Sequence, residues 1–278
     1  MDNQKYKSIC DELDLLIDWG VRISDAITKQ DILLDRDRFG DQIFTKLLCH
    51  AITLRRIIPT GLIPEQKGQS ELWDLSSVCA IARALVESFD ALFYVAIDDI
   101  DDRERDFRIA LWRLHSEERR LRKLELIQSK LPEVTAIRNN IKELRNKVTE
   151  HQYYSELDKG KTKKIENGEA PVFYLSHSER NERASINHDY YNSCIMFLSA
   201  YVHTFPFSVN QLMVFKAGDE DSLHLMSMPI QYAMGFLAKS IEGMHKIFSD
   251  RLPNMPIDVT EKCAIWREIL KVGLANSD

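Results

Sequence analysis

Apolar residues recur at helical spacing along almost the whole chain, and this constrains the fold more than any other feature. Ile9, Leu13, Leu16, Gly20, Ile23 and Ile27 follow the i, i+3, i+4 pattern of one amphipathic helix, and Ser8 is placed to cap its start. Ile43, Leu47, Ala51, Leu54 and Ile58 repeat the pattern until Pro59 ends it. After the loop "PTGLIPEQKGQ", the spacing predicts a long helix from near Ser70 to about Ile97. Further helices are predicted over about 103–127, 132–156, 186–204, 228–248 and 259–273, with starts supported by Ser185, Ser227 and Asp258, and Pro229 suited to a first turn. The expected fold is all-α, a bundle of about eight helices forming a single domain over 1–278. One long polar loop at about 155–185 interrupts it, where "PVFYL" reads as a short strand or a packed loop.

At 278 residues and 44% hydrophobic content, the chain is large enough to bury a substantial core. Its five cysteines, Cys10, Cys49, Cys79, Cys194 and Cys263, are odd in number and form no C-x-x-C pair, so neither a disulfide framework nor a thiolate zinc site is expected. A reducing cytoplasm fits this pattern. The polar start "MDNQKYKSICDEL" and the lack of a long uncharged apolar run lead to the expectation of a chain neither secreted nor inserted in a membrane.

The net charge of −6 argues against a uniformly basic nucleic-acid binder, but charge is unevenly spread. Residues 103–147 hold thirteen Lys and Arg against seven Asp and Glu, and "KGKTKK" follows at 159–164. A solvated pair of helices is one reading of that excess; a polyanion-facing surface is the other. On the second reading Arg119, Arg120, Arg122, Lys147, Lys161, Lys163 and Lys164 would hold an RNA backbone.

Other constellations are weaker. Ser76, Arg83, Glu87, Asp90 and Tyr94 form one polar stripe on an otherwise apolar helix, either a solvent-facing edge or the lining of an internal polar pocket, with Arg83 and Glu87 spaced for an ion pair. "DDIDDRERD" at 98–106 lacks the glycine and terminal glutamate of a calcium loop, and its acids suit a helix N-terminus. A di-metal bundle would need two E-x-x-H pairs; the chain offers Glu242 with His245 and a poorer Asp221 with His224, so no metal and no cofactor is expected. There is no dinucleotide-binding G-x-G-x-x-G, no Walker sequence and no G-x-S-x-G elbow, and His50, His177 and His224 have no evident partner in sequence.

The stretch "ELRNKVTEHQYY" (143–154) carries Arg145, Asn146, His151 and Tyr153. Val134, Ile137, Ile141, Leu144 and Val148 define the buried face of its helix, and the same spacing reaches His151, with Arg145 about 120° around the axis. In that geometry the two side chains converge only if the helix distorts or a second subunit completes the site. This stretch resembles the HEPN proteins, a helical and usually dimeric superfamily in which an arginine with a polar follower and, after four to six intervening residues, a histidine mark metal-independent ribonucleases. The resemblance implies an endoribonuclease, a toxin or antiviral-defence effector, acting as a homodimer and paired with a protein partner or antitoxin. Arg145 and Asn146 would hold the phosphate and His151 would move protons, leaving 2′,3′-cyclic phosphate ends. Arg183, His188 and Tyr190 in "RASINHDY" form a competing set, and Arg108 with His115 gives the bare spacing a third time.

A second resemblance is to an uncharacterised family of helical bacterial proteins, carried by "SSVCAIARALVES" and "YYNSCIMFLSAYVHT". It aligns Arg83, Glu87, Ser199 and His203 with that family's pattern and implies a fold without a reaction. The alternative to a nuclease is a non-catalytic helical binding or regulatory protein in which Arg145 and His151 are structural.

Overall fold

In the computed structural model, residues 1–28, 34–62 and 72–273 are described. Eleven α-helices and no strand occur among them: α1 (Asn3–Thr28), α2 (Asp35–Ile57), α3 (Leu75–Leu92), α4 (Asp102–Leu126), α5 (Glu133–Thr149), α6 (Lys159–Glu166), α7 (His177–Arg183), α8 (His188–Val202), α9 (Pro206–Val214), α10 (Glu220–Ile247) and α11 (Ile257–Val272). A π-helical turn, Phe93–Ile97, extends α3, and a short 3-10 turn, Gln152–Glu156, follows α5. The all-α architecture is as expected; the helix count is three higher than eight. The additional helices are α6, α7 and α9. The polar segment 155–185 holds two of them because Asp158 caps α6, accepting from the Lys161 N–H at 2.9 Å, a start that the run of lysines hides. α9 begins at Pro206, a residue suited to a first helical position. "PVFYL" is a packed loop, not a strand.

Several helix starts also differ from expectation. Ser8 lies inside α1, and Ser185 sits at φ 52° in the turn before α8, which Asn187 caps by accepting from the Tyr190 N–H at 2.9 Å. α10 begins eight residues earlier than 228, because Asp219 caps it and Glu220 and Asp221 follow in the first turn; Ser227 and Pro229 therefore lie within the helix. α11 starts at Ile257 behind Pro256, so Asp258 is its second residue and not its cap. The expected start near Ser70 and most of the loop before it lie outside the described residues; α3 itself is capped by Asp74, which accepts from the Ser77 N–H at 2.9 Å.

The chain divides into two compact units: Met1–Ile97 with Asn181–Asp278, and Asp98–Arg180. In the first, α10 is the central helix, packed by α1, α2, α3 and α11. Its core includes Leu13, Phe44, Leu85, Phe89, Phe236 and Leu237, all at most 1% exposed. In the second, α4 and α5 form a helical hairpin. Phe107, Ala110, Leu111 and Leu114 of α4 meet Ile137, Ile141 and Val148 of α5, with Ile165 and Ala170 completing the core. No helix among the described residues is long and apolar enough to cross a membrane.

The five cysteines are all free, and only Cys49 is exposed. Burial pushes the thiols of Cys194 and Cys263 up to about 12 and raises those of Cys10 and Cys79 as well. Thiolates are the reactive form, so under native conditions one thiol should react rapidly with Ellman's reagent and the other four should wait for unfolding. A second fast-reacting thiol would show that one of these helices opens readily.

Candidate nucleic-acid interface

A run of polar residues on α4 flanks its apolar stripe. His115, Glu118, Arg119 and Arg122 are spaced i, i+3, i+4 and i+7, so they line one face of the helix. That face forms one wall of a cleft of about 460 Å3 in the second unit. The other wall is built by Lys164 at the end of α6 and by the segment from Gly168 to Arg180, including Pro171, Val172 and Phe173. An adjoining groove of about 260 Å3 shares Glu118 and Arg122 with the cleft and adds Arg145 and Asn167.

The backbone of one residue, Ala170, ties the two walls together. The Ala170 N–H donates to Glu118 Oε2 at 2.7 Å, while its carbonyl lies 2.6 Å from His115 Nδ1. A carbonyl only accepts, so Nδ1 carries the proton and the Nε2 lone pair of the neutral ring is left for the cleft. Glu118, 8% exposed, uses its other oxygen to accept from Arg145 Nη2 at 2.8 Å. Gly168 turns the chain at φ +77°, and a Cβ there would sit 3.5 Å from the Arg145 guanidinium. On the opposite wall the buried Arg180 donates to the Leu175 carbonyl at 2.8 Å and lies 4.1 Å from the centre of the Phe173 ring, a cation–π contact.

Three of the seven expected RNA-binding residues, Arg119, Arg122 and Lys164, come together in this cleft. All three are exposed and none makes an ion pair among the described residues. Arg120 faces Glu117 at 3.9 Å and Lys161 pairs with Asp158 at 2.7 Å. Lys147 and Lys163 are exposed outside the cleft.

The Arg145 to Tyr153 stretch is arranged differently from expectation. The helix predicted over 132–156 stops at Thr149, whose hydroxyl donates back to the carbonyls of Arg145 and Asn146 at 3.0 and 3.2 Å. His151 is therefore extended and not in helical register. It caps the 3-10 turn, with Nδ1 accepting from the Tyr153 N–H at 3.3 Å, and its ring lies 5.2 Å from Phe107 and 5.7 Å from Tyr153. That bond occupies the Nδ1 lone pair and leaves Nε2 as the N–H of the neutral ring. Arg145 is committed to Glu118, Asn146 is exposed, and no hydrogen bond joins Arg145 to His151.

The competing set is also separated by a turn. Arg183 ends α7, His188 begins α8 with Nδ1 3.0 Å from the Asn181 amide nitrogen, and Tyr190 packs edge-on against Tyr232. By contrast, Arg83, Glu87 and His203 do meet: Arg83 Nε donates to Glu87 at 2.9 Å and its Nη1 donates to His203 Nε2 at 3.1 Å. His203 caps the C-terminus of α8, its N–H bonded to the Ser199 carbonyl at 3.0 Å. The polar stripe on α3 thus has two environments. Arg83 and Glu87 are at the surface, whereas Asp90 and Tyr94 are buried, Asp90 accepting from the Tyr191 hydroxyl at 2.6 Å.

Asp98, Asp101 and Glu104 of "DDIDDRERD" have partners within the protein. Asp98 pairs with the fully buried Arg108 at 2.7 Å, and Asp101 caps α4 by accepting from the Glu104 N–H at 2.7 Å. Glu242 pairs with Arg267, and His245 Nε2 lies 3.0 Å from the Pro253 carbonyl. Among the described residues no group of three or more His, Cys, Asp or Glu is placed to hold a metal ion.

Glu118, Phe173 and Arg180 are cleft residues that no sequence pattern selects, and His115 stood out there only through its spacing from Arg108. The spacing of His115, Arg119 and Arg122 on one helical face was the available signal. Nothing in sequence brings Phe173 and Arg180 to that face. No protein-family model matches the chain, and no curated protein or solved structure matches it either.

Proposed function

We propose that this protein binds RNA through the cleft between α4 and the 164–180 segment. The observation that carries the proposal is the convergence of Arg119, Arg122 and Lys164, three exposed cations without ion pairs among the described residues, on one cleft of a chain whose net charge is −6. An acidic protein with a locally basic cleft holds a polyanion at one place and repels it elsewhere. A cytoplasmic setting fits action on RNA.

Replacing Arg119, Arg122 and Lys164 together by alanine should weaken binding of a fluorescent single-stranded RNA by about 100-fold near 0.1 M salt. The slope of log affinity against log salt should flatten by about 2, from three lost phosphate contacts at roughly 0.7 each. A wild type that fails to bind RNA even at low salt, or a triple variant that binds as tightly as wild type, would overturn the proposal.

A second reading keeps the HEPN-like endoribonuclease, and the order Arg145, Asn146, His151, Tyr153 favours it. Within one chain Arg145 is held by Glu118 and the His151 Nδ1 lone pair is in use, so this chemistry needs a homodimer that brings a second copy's residues to the site. As a toxin or defence effector it would also need a protein partner to restrain it. Cleavage of RNA in EDTA with 2′,3′-cyclic phosphate ends, abolished in His151→Ala, would support this reading. Binding without cleavage would leave the non-catalytic one.

A further inference from the structure

We infer that the cleft seats one unpaired ribonucleotide of an RNA strand and distinguishes it from deoxyribonucleotide through His115; this rests on the RNA-binding reading above. Besides the exposed carboxylate of Glu169, the cleft has three chemically distinct surfaces. Its cationic side is Arg119, Arg122 and Lys164, suited to phosphate oxygens. Its apolar side is Pro171, Val172 and Phe173, where the guanidinium of Arg180 lies 4.1 Å from the centre of the Phe173 ring and holds it against that wall. A base laid on this wall gains the sequence-tolerant stacking by which single-stranded nucleic acid is bound. Its volume of about 460 Å3 falls within the roughly 300–1,000 Å3 typical of small-ligand sites, enough for one splayed-out nucleotide and too little for a duplex.

The third surface is His115, which lies on the same α4 face one turn before Arg119. Its Nδ1–H is fixed on the Ala170 carbonyl at 2.6 Å, and Nε2 makes no hydrogen bond among the described residues. Neutral His115 therefore presents a lone pair, and not an N–H, beside a phosphate-binding set. The neighbouring Glu118 has both oxygens engaged, one by Arg145 and one by the Ala170 N–H, and does not compete for this role. An acceptor next to a bound phosphate matches the 2′-hydroxyl of ribose, a donor that deoxyribose lacks.

The test uses the full chain with ten-nucleotide RNA and DNA strands of one mixed sequence, and duplex RNA as competitor. Wild type should prefer RNA over DNA by about three- to tenfold, the range of one hydrogen bond. In His115→Asn the amide takes over the donation to Ala170 while the Nε2 acceptor is gone, so the preference should fall to near unity with DNA affinity unchanged. Phe173→Leu, which keeps apolar volume without a ring, should weaken both single strands roughly 5- to 150-fold, and Phe173→Trp should restore them. Equal wild-type affinity for RNA and DNA, an undiminished preference in His115→Asn, or tight duplex competition would overturn this inference while the basic-cleft reading stands. Failure of wild type to bind any strand would instead overturn that reading.

Discussion

Replacing Arg108 with alanine is expected to destabilise the second unit by about 3–5 kcal/mol, the usual cost of removing one member of a buried ion cluster. Arg108 is 0% exposed and bonds Asp98 at 2.7 Å and Glu104 at 2.6 Å, both themselves buried. The Tyr174 hydroxyl donates to the same Glu104 oxygen, and the Tyr174 ring lies 5.8 Å from the guanidinium. The alanine variant loses the cation and leaves two carboxylates in an apolar setting with their main compensation gone. Hydrogen exchange is the direct measurement: amides of α4 and α5 should lose protection while those of α10 keep theirs. A loss below about 1 kcal/mol would mean that the carboxylates are neutralised or hydrated in the folded state. Substituting all three ionic groups by apolar residues of similar volume should be far milder, since a buried cluster costs its own desolvation.

The second large effect is expected at Glu118. Glu118→Ala removes the acceptor of both Arg145 and the Ala170 N–H, and should cost about 2–4 kcal/mol, given one half-buried charged partner and one buried backbone donor left without it. A double-mutant cycle with Arg145→Ala should give a coupling of about 1–3 kcal/mol, reduced from the fully buried case because the Arg145 side chain is 31% exposed. Coupling within about 0.3 kcal/mol of zero would show that Arg145 is not held by Glu118 in solution and is available for chemistry. RNA affinity should not fall in parallel with stability, because the substitution also removes a negative charge from the edge of the cleft.

The helical pattern of the chain was legible because burial of one face imposes a period that survives any arrangement of the helices. Thus Leu13, Leu16 and Ile23, read as core from spacing, are at most 1% exposed. Helix ends were less legible, since several nearby residues have capping chemistry and only the structure shows which is used: Asn187 over Ser185, and Asp219 over Ser227. The Arg145 stretch shows the limit most clearly. Period alone continues the helix through His151, whereas Thr149 back-bonding and a histidine cap end it. The ion pair of Arg83 with Glu87 was readable from i, i+4 spacing, and its link to His203 was not, because contact across 120 positions leaves no periodic trace. Of the cleft, the cations could be found by counting charge. The acceptor on His115 could not, because its direction depends on a carbonyl 55 positions away.

The clamp on the Ala170 backbone also bears on how such a sequence can drift. The two peptide planes that flank the Ala170 Cα are each gripped once, the N–H of the first by Glu118 and the carbonyl of the second by His115, residues three apart on one helix. Substitution of the Ala170 side chain by another small residue leaves both bonds available, since neither uses it. Inserting or deleting one residue in 168–171 would offer a different residue's backbone to the same two side chains and break both bonds together. Relatives of this chain should therefore vary in length in the exposed 127–131 connection between α4 and α5, and keep the 168–171 spacing even where its residues change.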